Sequence, residues 1–168
     1  MSMCACGGSV NERCASNNEK KKIIIDFLYL DLSICERCKG TESNFDEAVK
    51  DVSGVIKAAG YDMIVNKIHI DTIELARKYE LISSPTIRIN GRDISCEVKE
   101  SACEECGQLC GEGVDCRVWE HEGEEYVSPP KTMIIDEILN EIFTDRSCQE
   151  EKKEYRMPKN LELFFNEG

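Results

Sequence analysis

No stretch of this 168-residue chain approaches the roughly 20 consecutive apolar residues needed to span a bilayer, which excludes a membrane-spanning helix of ordinary length. Residues 1–22 lack the apolar centre of a signal peptide, so a cytoplasmic setting is expected. Positive charge is also in short supply. Lys and Arg number 21 against 33 Asp and Glu, a formal net charge of −12, which makes phosphate backbones and anionic lipid poor partners. Neither nucleic acid nor a membrane surface is expected to bind. There are only 2 His and 1 Trp, no phosphate-cradling glycine loop, no paired-carboxylate motif and no internal repeat.

Cysteine is what the chain has in excess: 11 residues, at positions 4, 6, 14, 35, 38, 96, 103, 106, 110, 116 and 148. Under reducing conditions such residues read first as catalytic thiols or metal ligands rather than as a secreted disulfide framework. With 41% apolar residues the chain can bury a core, and its length suits one domain with additions.

Residues 23–30, Ile-Ile-Ile-Asp-Phe-Leu-Tyr-Leu, read as a central strand covered on both faces. Ser33-Ile34-Cys35-Glu36 has the form of a capping box, which would set Cys35 in the first turn of a helix. Phe45, Val49, Val52, Ile56 and Ala59 trace the apolar stripe of that helix, ended by Gly60. A second strand is expected over 63–70, then a short helix capped at Asp71. Thr86-Ile87-Arg88-Ile89 alternates as a strand, and Asn90-Gly91 predicts a tight hairpin into Arg92-Asp93-Ile94.

Residues 97–125 hold ten acidic and two basic side chains together with four cysteines, and read as part of an insertion over 96–127. At Ser128-Pro129-Pro130, serine suits a cap and proline the first position of a helix carrying Ile134, Ile135, Ile138, Leu139, Ile142 and Phe143. The expected organisation is a flexible cysteine-bearing arm over 1–22, a folded domain over 23–143 and a charged tail over 144–168. Within the tail, Leu161-Glu162-Leu163-Phe164-Phe165 is apolar enough to dock on the body or on a partner.

The order β-α-β-α-β-β-α, with Cys35-Glu36-Arg37-Cys38 at a strand-to-helix junction, Ser84-Pro85-Thr86 before the third strand and the Asn90-Gly91 hairpin, resembles the thioredoxin-like superfamily, glutaredoxins included. The resemblance covers about 23–94 and 129–143. The whole chain is also similar to a prokaryotic thioredoxin-like family of no assigned activity, through Cys116-Arg117-Val118-Trp119 and Pro129-Pro130. It implies an α/β thioredoxin-like fold, a mixed central sheet of about four strands flanked by helices, here with a cysteine-rich acidic insertion. It further implies a substrate groove shaped by Ser84, Pro85 and Thr86, with a cis bond before Pro85. The tryptophan, glycine and proline around the thioredoxin cysteines are absent.

A sulfur at a helix start gains from free amide N–H groups and the positive dipole end, and Arg37 adds positive charge that Glu36 opposes. Cys35 is therefore the expected nucleophile and Cys38, three residues on and less exposed, the resolving thiol of a thiol–disulfide oxidoreductase. Exchange itself needs no cofactor. It does need a protein or small-molecule disulfide as substrate and a reductase to restore the dithiol.

Cys96, Cys103, Cys106, Cys110 and Cys116 crowd a second cluster into 21 residues. Four thiolates would close a zinc site or hold an iron–sulfur cluster; disulfides, a redox relay or free thiols in a loop remain open for the same residues. The alternative to an enzyme is accordingly a metal-binding scaffold without turnover, and a third reading has the acidic insertion gripping a basic partner. Cys4-Ala5-Cys6 would bind a soft metal or exchange with Cys35; on an exposed arm these thiols are more simply accessible. Cys148 reads as incidental, His69 as packed in its strand and His121 as solvated. Trp119 and Tyr126 are expected to anchor the insertion to the body.

Overall fold

The computed structural model describes residues 20–33, 35–102, 115–144 and 154–166. Four strands, β1 (Lys21–Tyr29), β2 (Tyr61–His69), β3 (Thr86–Ile89) and β4 (Arg92–Asp93), form one mixed sheet in the order β2-β1-β3-β4. β1 runs parallel to β2 and antiparallel to β3, and β3 is antiparallel to β4. The long helix α1 (Glu36–Ala58) links the parallel pair, and α2 (Ile73–Lys78) leads from β2 towards β3. Helix α3 (Lys131–Phe143) follows the insertion, and α4 (Lys159–Asn166) lies in the tail.

The alternation of β1 decides the layers. Ile23, Ile25 and Phe27 point to one face, where they pack with Phe45, Ala48, Val52 and Ile56 of α1 and Met133, Ile134 and Ile138 of α3. Ile87, Ile89 and Ile94 complete that core. On the other face, Leu28 and Leu30 meet Ile70, Ala76, Leu81 and Leu161. This second layer covers only the end of β1, since Ile24 remains 39% exposed; the strand is central, but it is covered on both faces only near its C-terminal end. β2 is one edge of the sheet, with Ile64 and Val65 exposed.

Several local expectations shift. Lys21 and Lys22, assigned to the arm, begin β1 opposite Tyr61 and Asp62; residues 1–19, with Cys4, Cys6 and Cys14, lie outside the described residues. Thr72 rather than Asp71 caps α2, its hydroxyl accepting from the Leu75 amide at 3.3 Å. Pro130 is the N-cap of α3, one position before the first helical residue. Asn90 and Gly91 adopt the expected hairpin, with φ of 52° and 83°.

The insertion has its own architecture. β5 (Lys99–Ala102), β6 (Asp115–His121) and β7 (Glu124–Tyr126) form a three-stranded antiparallel sheet in that order. Lys99 bridges its rungs by donating to Glu120 and Glu125, and the Glu120 bond, followed by that of Glu125, raises the lysine above its ordinary range. Trp119 joins the main core, wholly buried, so it anchors the insertion as expected; Tyr126 packs partly buried against the same core. Residues 103–114 lie outside the described residues. The tail docks through Leu161, 1% exposed. Among the described residues no helix is long and apolar enough to cross a membrane.

Candidate active site

β1 ends at Tyr29, and the chain turns through Asp31, Leu32 and Ser33 before α1 begins at Glu36. Ser33 does not cap the helix. Its amide and its hydroxyl both donate to the Asp31 carboxylate, each at 2.6 Å, the local competition that Asp and Ser offer to helix starts. The N-cap position falls to Cys35, with extended φ/ψ of −83° and 111°. Its carbonyl accepts the first helical bond from the Lys39 amide at 3.0 Å. Cys35 therefore stands at the threshold of the helix rather than inside its first turn, close to the free amides of the opening residues.

Cys38 lies one turn on, on the buried side of α1. The two cysteines differ little in exposure, 2% for Cys35 and 4% for Cys38, so the expected contrast between an open nucleophile and a covered partner is absent. They pack in one buried cluster with a third cysteine, Cys116 of β6, and with Leu32. By spacing alone Cys116 belongs with the second cluster. Cys96, the other described member of that cluster, is exposed and belongs to no such group among the described residues. Cys103, Cys106, Cys110 and Cys148 lie outside the described residues. Among the described residues no group of three or more His, Cys, Asp or Glu side chains has an arrangement suited to a metal ion.

Ser84-Pro85-Thr86 is hydrogen-bonded to Leu30 and to Arg117, residues close in the chain to Leu32 and Cys116 of this cluster. The Ser84–Pro85 bond is cis. The Leu30 amide donates to the Ser84 hydroxyl at 3.1 Å, tying the segment to the end of β1, and the Thr86 hydroxyl donates to the Ser83 carbonyl at 2.7 Å. The Ser84 carbonyl accepts from the amide of Arg117 at 3.2 Å. The residue next to Cys116 is thus bonded to the segment expected to shape a substrate groove.

Arg117 is the site residue that sequence reading missed. It is wholly buried, donates to both oxygens of Asp93 at 2.7 Å and to the Thr86 hydroxyl at 2.9 Å, and lies 4.2 Å from the centre of the Trp119 ring. A desolvated guanidinium needs such a set of acceptors. The one available signal was the spacing Arg117-x-Trp119, which puts both side chains on one face of a strand. Arg37, between the paired cysteines, secures the opposite flank: its guanidinium donates to the Ser101 hydroxyl at 2.9 Å and to the Ala102 carbonyl at 3.5 Å. Ser101 is the partner of Cys116 in the β5–β6 register. The Arg37 carbonyl accepts from the hydroxyls of Thr41 and Ser128 at 2.8 and 3.1 Å.

The two histidines take structural parts. His69 stacks on Tyr29 with ring centres 5.2 Å apart, and its Nε2 is 2.9 Å from the Leu30 carbonyl. His121 is half-buried, 4.0 Å from Asp136, rather than solvated.

Sulfurs gathered at a helix start are suited to thiol–disulfide exchange, in which a thiolate attacks one sulfur of a disulfide and displaces the other. Residues 23–138 match a family model described as "Domain of unknown function" (DUF2703). No curated protein and no solved structure matches the chain.

Proposed function

The chain belongs to the DUF2703 family, and because that description carries no activity we propose from its own residues that it is a thiol–disulfide oxidoreductase on a thioredoxin-like fold. The observation that carries the reading is the position of Cys35, the N-cap of a 23-residue helix, with Cys38 buried beside it one turn later. Supporting it are the sheet order β2-β1-β3-β4 with its parallel and antiparallel pairs, the connectivity that the resemblance implies, and the bond from the amide of Arg117, the neighbour of Cys116, to the Ser84 carbonyl ahead of β3.

Amide N–H groups at the start of α1 favour the thiolate of Cys35 over the thiol. That thiolate attacks a disulfide substrate; a Cys35–substrate disulfide forms, and the substrate's other sulfur leaves as a thiol after taking up a proton. Cys38 then attacks Cys35, forming the Cys35–Cys38 disulfide and releasing the second substrate thiol. The substrate is reduced by two electrons and the protein oxidised by two. A reductase of dithiol type reverses the oxidation. Ser84, Pro85 and Thr86 line the approach of the substrate.

Reduction of a small disulfide such as oxidised glutathione, coupled to a dithiol regenerant, tests the reading. Cys35→Ser is expected to abolish turnover, and Cys38→Ser to lower it. Full activity in Cys35→Ser would reject the proposal.

A further inference from the structure

We propose that Cys116 is a third exchange thiol, presented to Cys35 by the insertion in the way a substrate would be; the inference rests on the reading of Cys35 as nucleophile. Two observations converge on it. Cys116 is buried in the same cluster as Cys35 and Cys38, although it lies 78 residues beyond Cys38 in the chain. The strand that carries it is also hydrogen-bonded to the groove segment, Arg117 amide to Ser84 carbonyl at 3.2 Å. That backbone contact is of the kind an extended substrate beside the cysteines would make, so β6 stands where a bound disulfide-bearing strand would run.

The strand is held in place on both sides. Arg117 is locked by Asp93, Thr86 and the Trp119 ring. Across the β5–β6 pair, the partner of Cys116 is Ser101, to which Arg37 of the paired-cysteine motif donates. A sulfur fixed in this way meets its target at a high effective concentration.

The step conserves electrons. In protein oxidised by a disulfide substrate, the Cys116 thiolate attacks Cys35 within the Cys35–Cys38 disulfide. The Cys35–Cys116 bond forms, the Cys35–Cys38 bond breaks, and Cys38 takes up the proton that Cys116 gave. The dithiol reductant then removes the disulfide from the insertion side. Cys116 can likewise resolve a Cys35–substrate disulfide when Cys38 is missing.

Reduced full-length protein, treated with oxidised glutathione and acid-quenched, provides the test. Cleavage after Arg37 separates Cys35 from Cys38, and cleavage before Asp115 and after Arg117 isolates Cys116 from Cys103, Cys106 and Cys110. Cys38→Ser is expected to yield a Cys35–Cys116 cross-linked peptide and little glutathione on Cys35. Cys38→Ser/Cys116→Ser is expected to accumulate the Cys35–glutathione adduct about tenfold over the single variant, reflecting loss of an intramolecular competitor. Equal adduct in both variants, or a cross-link from Cys35 to Cys103, Cys106 or Cys110 in place of Cys116, overturns the role of Cys116. No adduct at Cys35 in the double variant instead rejects Cys35 as nucleophile, and the proposed function with it. Wild-type protein oxidised with diamide gives a check that needs no substitution: a Cys35–Cys116 peptide is expected beside Cys35–Cys38, and its absence overturns the inference.

Discussion

Arg117 and Asp93 are joined by two hydrogen bonds of 2.7 Å between fully buried guanidinium nitrogens and a carboxylate that is 21% exposed. The pair pins the insertion sheet to the end of β4. Removing one member of a buried pair strands the other, which costs about 3 kcal/mol or more, and Arg117→Ala also strips the cover from Trp119. Denaturant unfolding of Arg117→Ala is expected to show a loss of about 3 kcal/mol on that basis. Arg117→Lys should recover less than half, because a single tetrahedral nitrogen does not reproduce the planar fork whose two nitrogens meet the two Asp93 oxygens. A loss below about 1 kcal/mol, the range of an exposed pair, would mean that this contact does not anchor the insertion.

Gly40 and Ser128 form a second tight contact, which makes the effect of a Cβ at Gly40 depend on the residue at 128. A Cβ at Gly40 would stand 2.7 Å from the Ser128 Oγ, the atom that donates to the Arg37 carbonyl. In the wild type, Gly40→Ala turns the hydroxyl away and loses a hydrogen bond of about 1 kcal/mol, offsetting the better helix propensity of alanine. In a Ser128→Ala background only that propensity remains. There Gly40→Ala should stabilise by about 0.5–1 kcal/mol. A thermodynamic cycle over the four proteins reads the coupling directly, and additive effects would contradict the contact.

The frame of the fold was legible because its signals are local and periodic. Ile23, Ile25 and Phe27 alternate onto one core, Phe45, Val52 and Ile56 repeat at helical spacing, and Asn90-Gly91 has a single favoured turn. The site was legible only in part. Cys35 and Cys38 declare themselves by spacing, whereas Cys116 was grouped with its chain neighbours and in fact packs with residues far away in sequence. Its placement depends on Arg117 meeting Asp93, a pairing between two charged residues that no hydrophobic period announces. The capping box failed for a similar reason: Asp31, two residues before Ser33, offered the serine a nearer acceptor.

Tyr155 couples the tail to the body and should make its docking sensitive to alkali. Its hydroxyl donates to the Leu81 carbonyl at 2.9 Å, with the Ala76 carbonyl 3.4 Å away. Partial burial first, and the charge of Glu80 second, raise its ionisation above the ordinary 10.0. The folded state thus holds the proton more tightly than the unfolded one. Its contribution is complete below 10.0 and is lost as pH climbs through the raised folded value. Wild-type stability should therefore fall more steeply above pH 10 than that of Tyr155→Phe, which has no proton to lose at this position. Parallel pH curves for the two proteins would contradict the assignment. Leu161→Ala, which empties a fully covered site in the same layer, should cost about 2–5 kcal/mol at any pH.

Access to Cys35 is the last quantity the structure sets. At 2% exposure the sulfur reacts with an external reagent only when its cover opens, so its alkylation rate reports the opening equilibrium. The bond from Arg37 to Ser101 holds β5, and through it Cys116, over the pair. Ser101→Ala removes the shorter of the two bonds from Arg37 to β5 without changing any charge near the thiolate, which Arg37→Ala would do. The site is half-buried, so the bond contributes towards the low end of the usual range, and its loss should speed iodoacetamide labelling of Cys35 about threefold. Global stability should change by less than about 1 kcal/mol. An unchanged labelling rate would mean that Cys35 is covered by something other than the insertion, and that β6 does not compete with substrate for the groove.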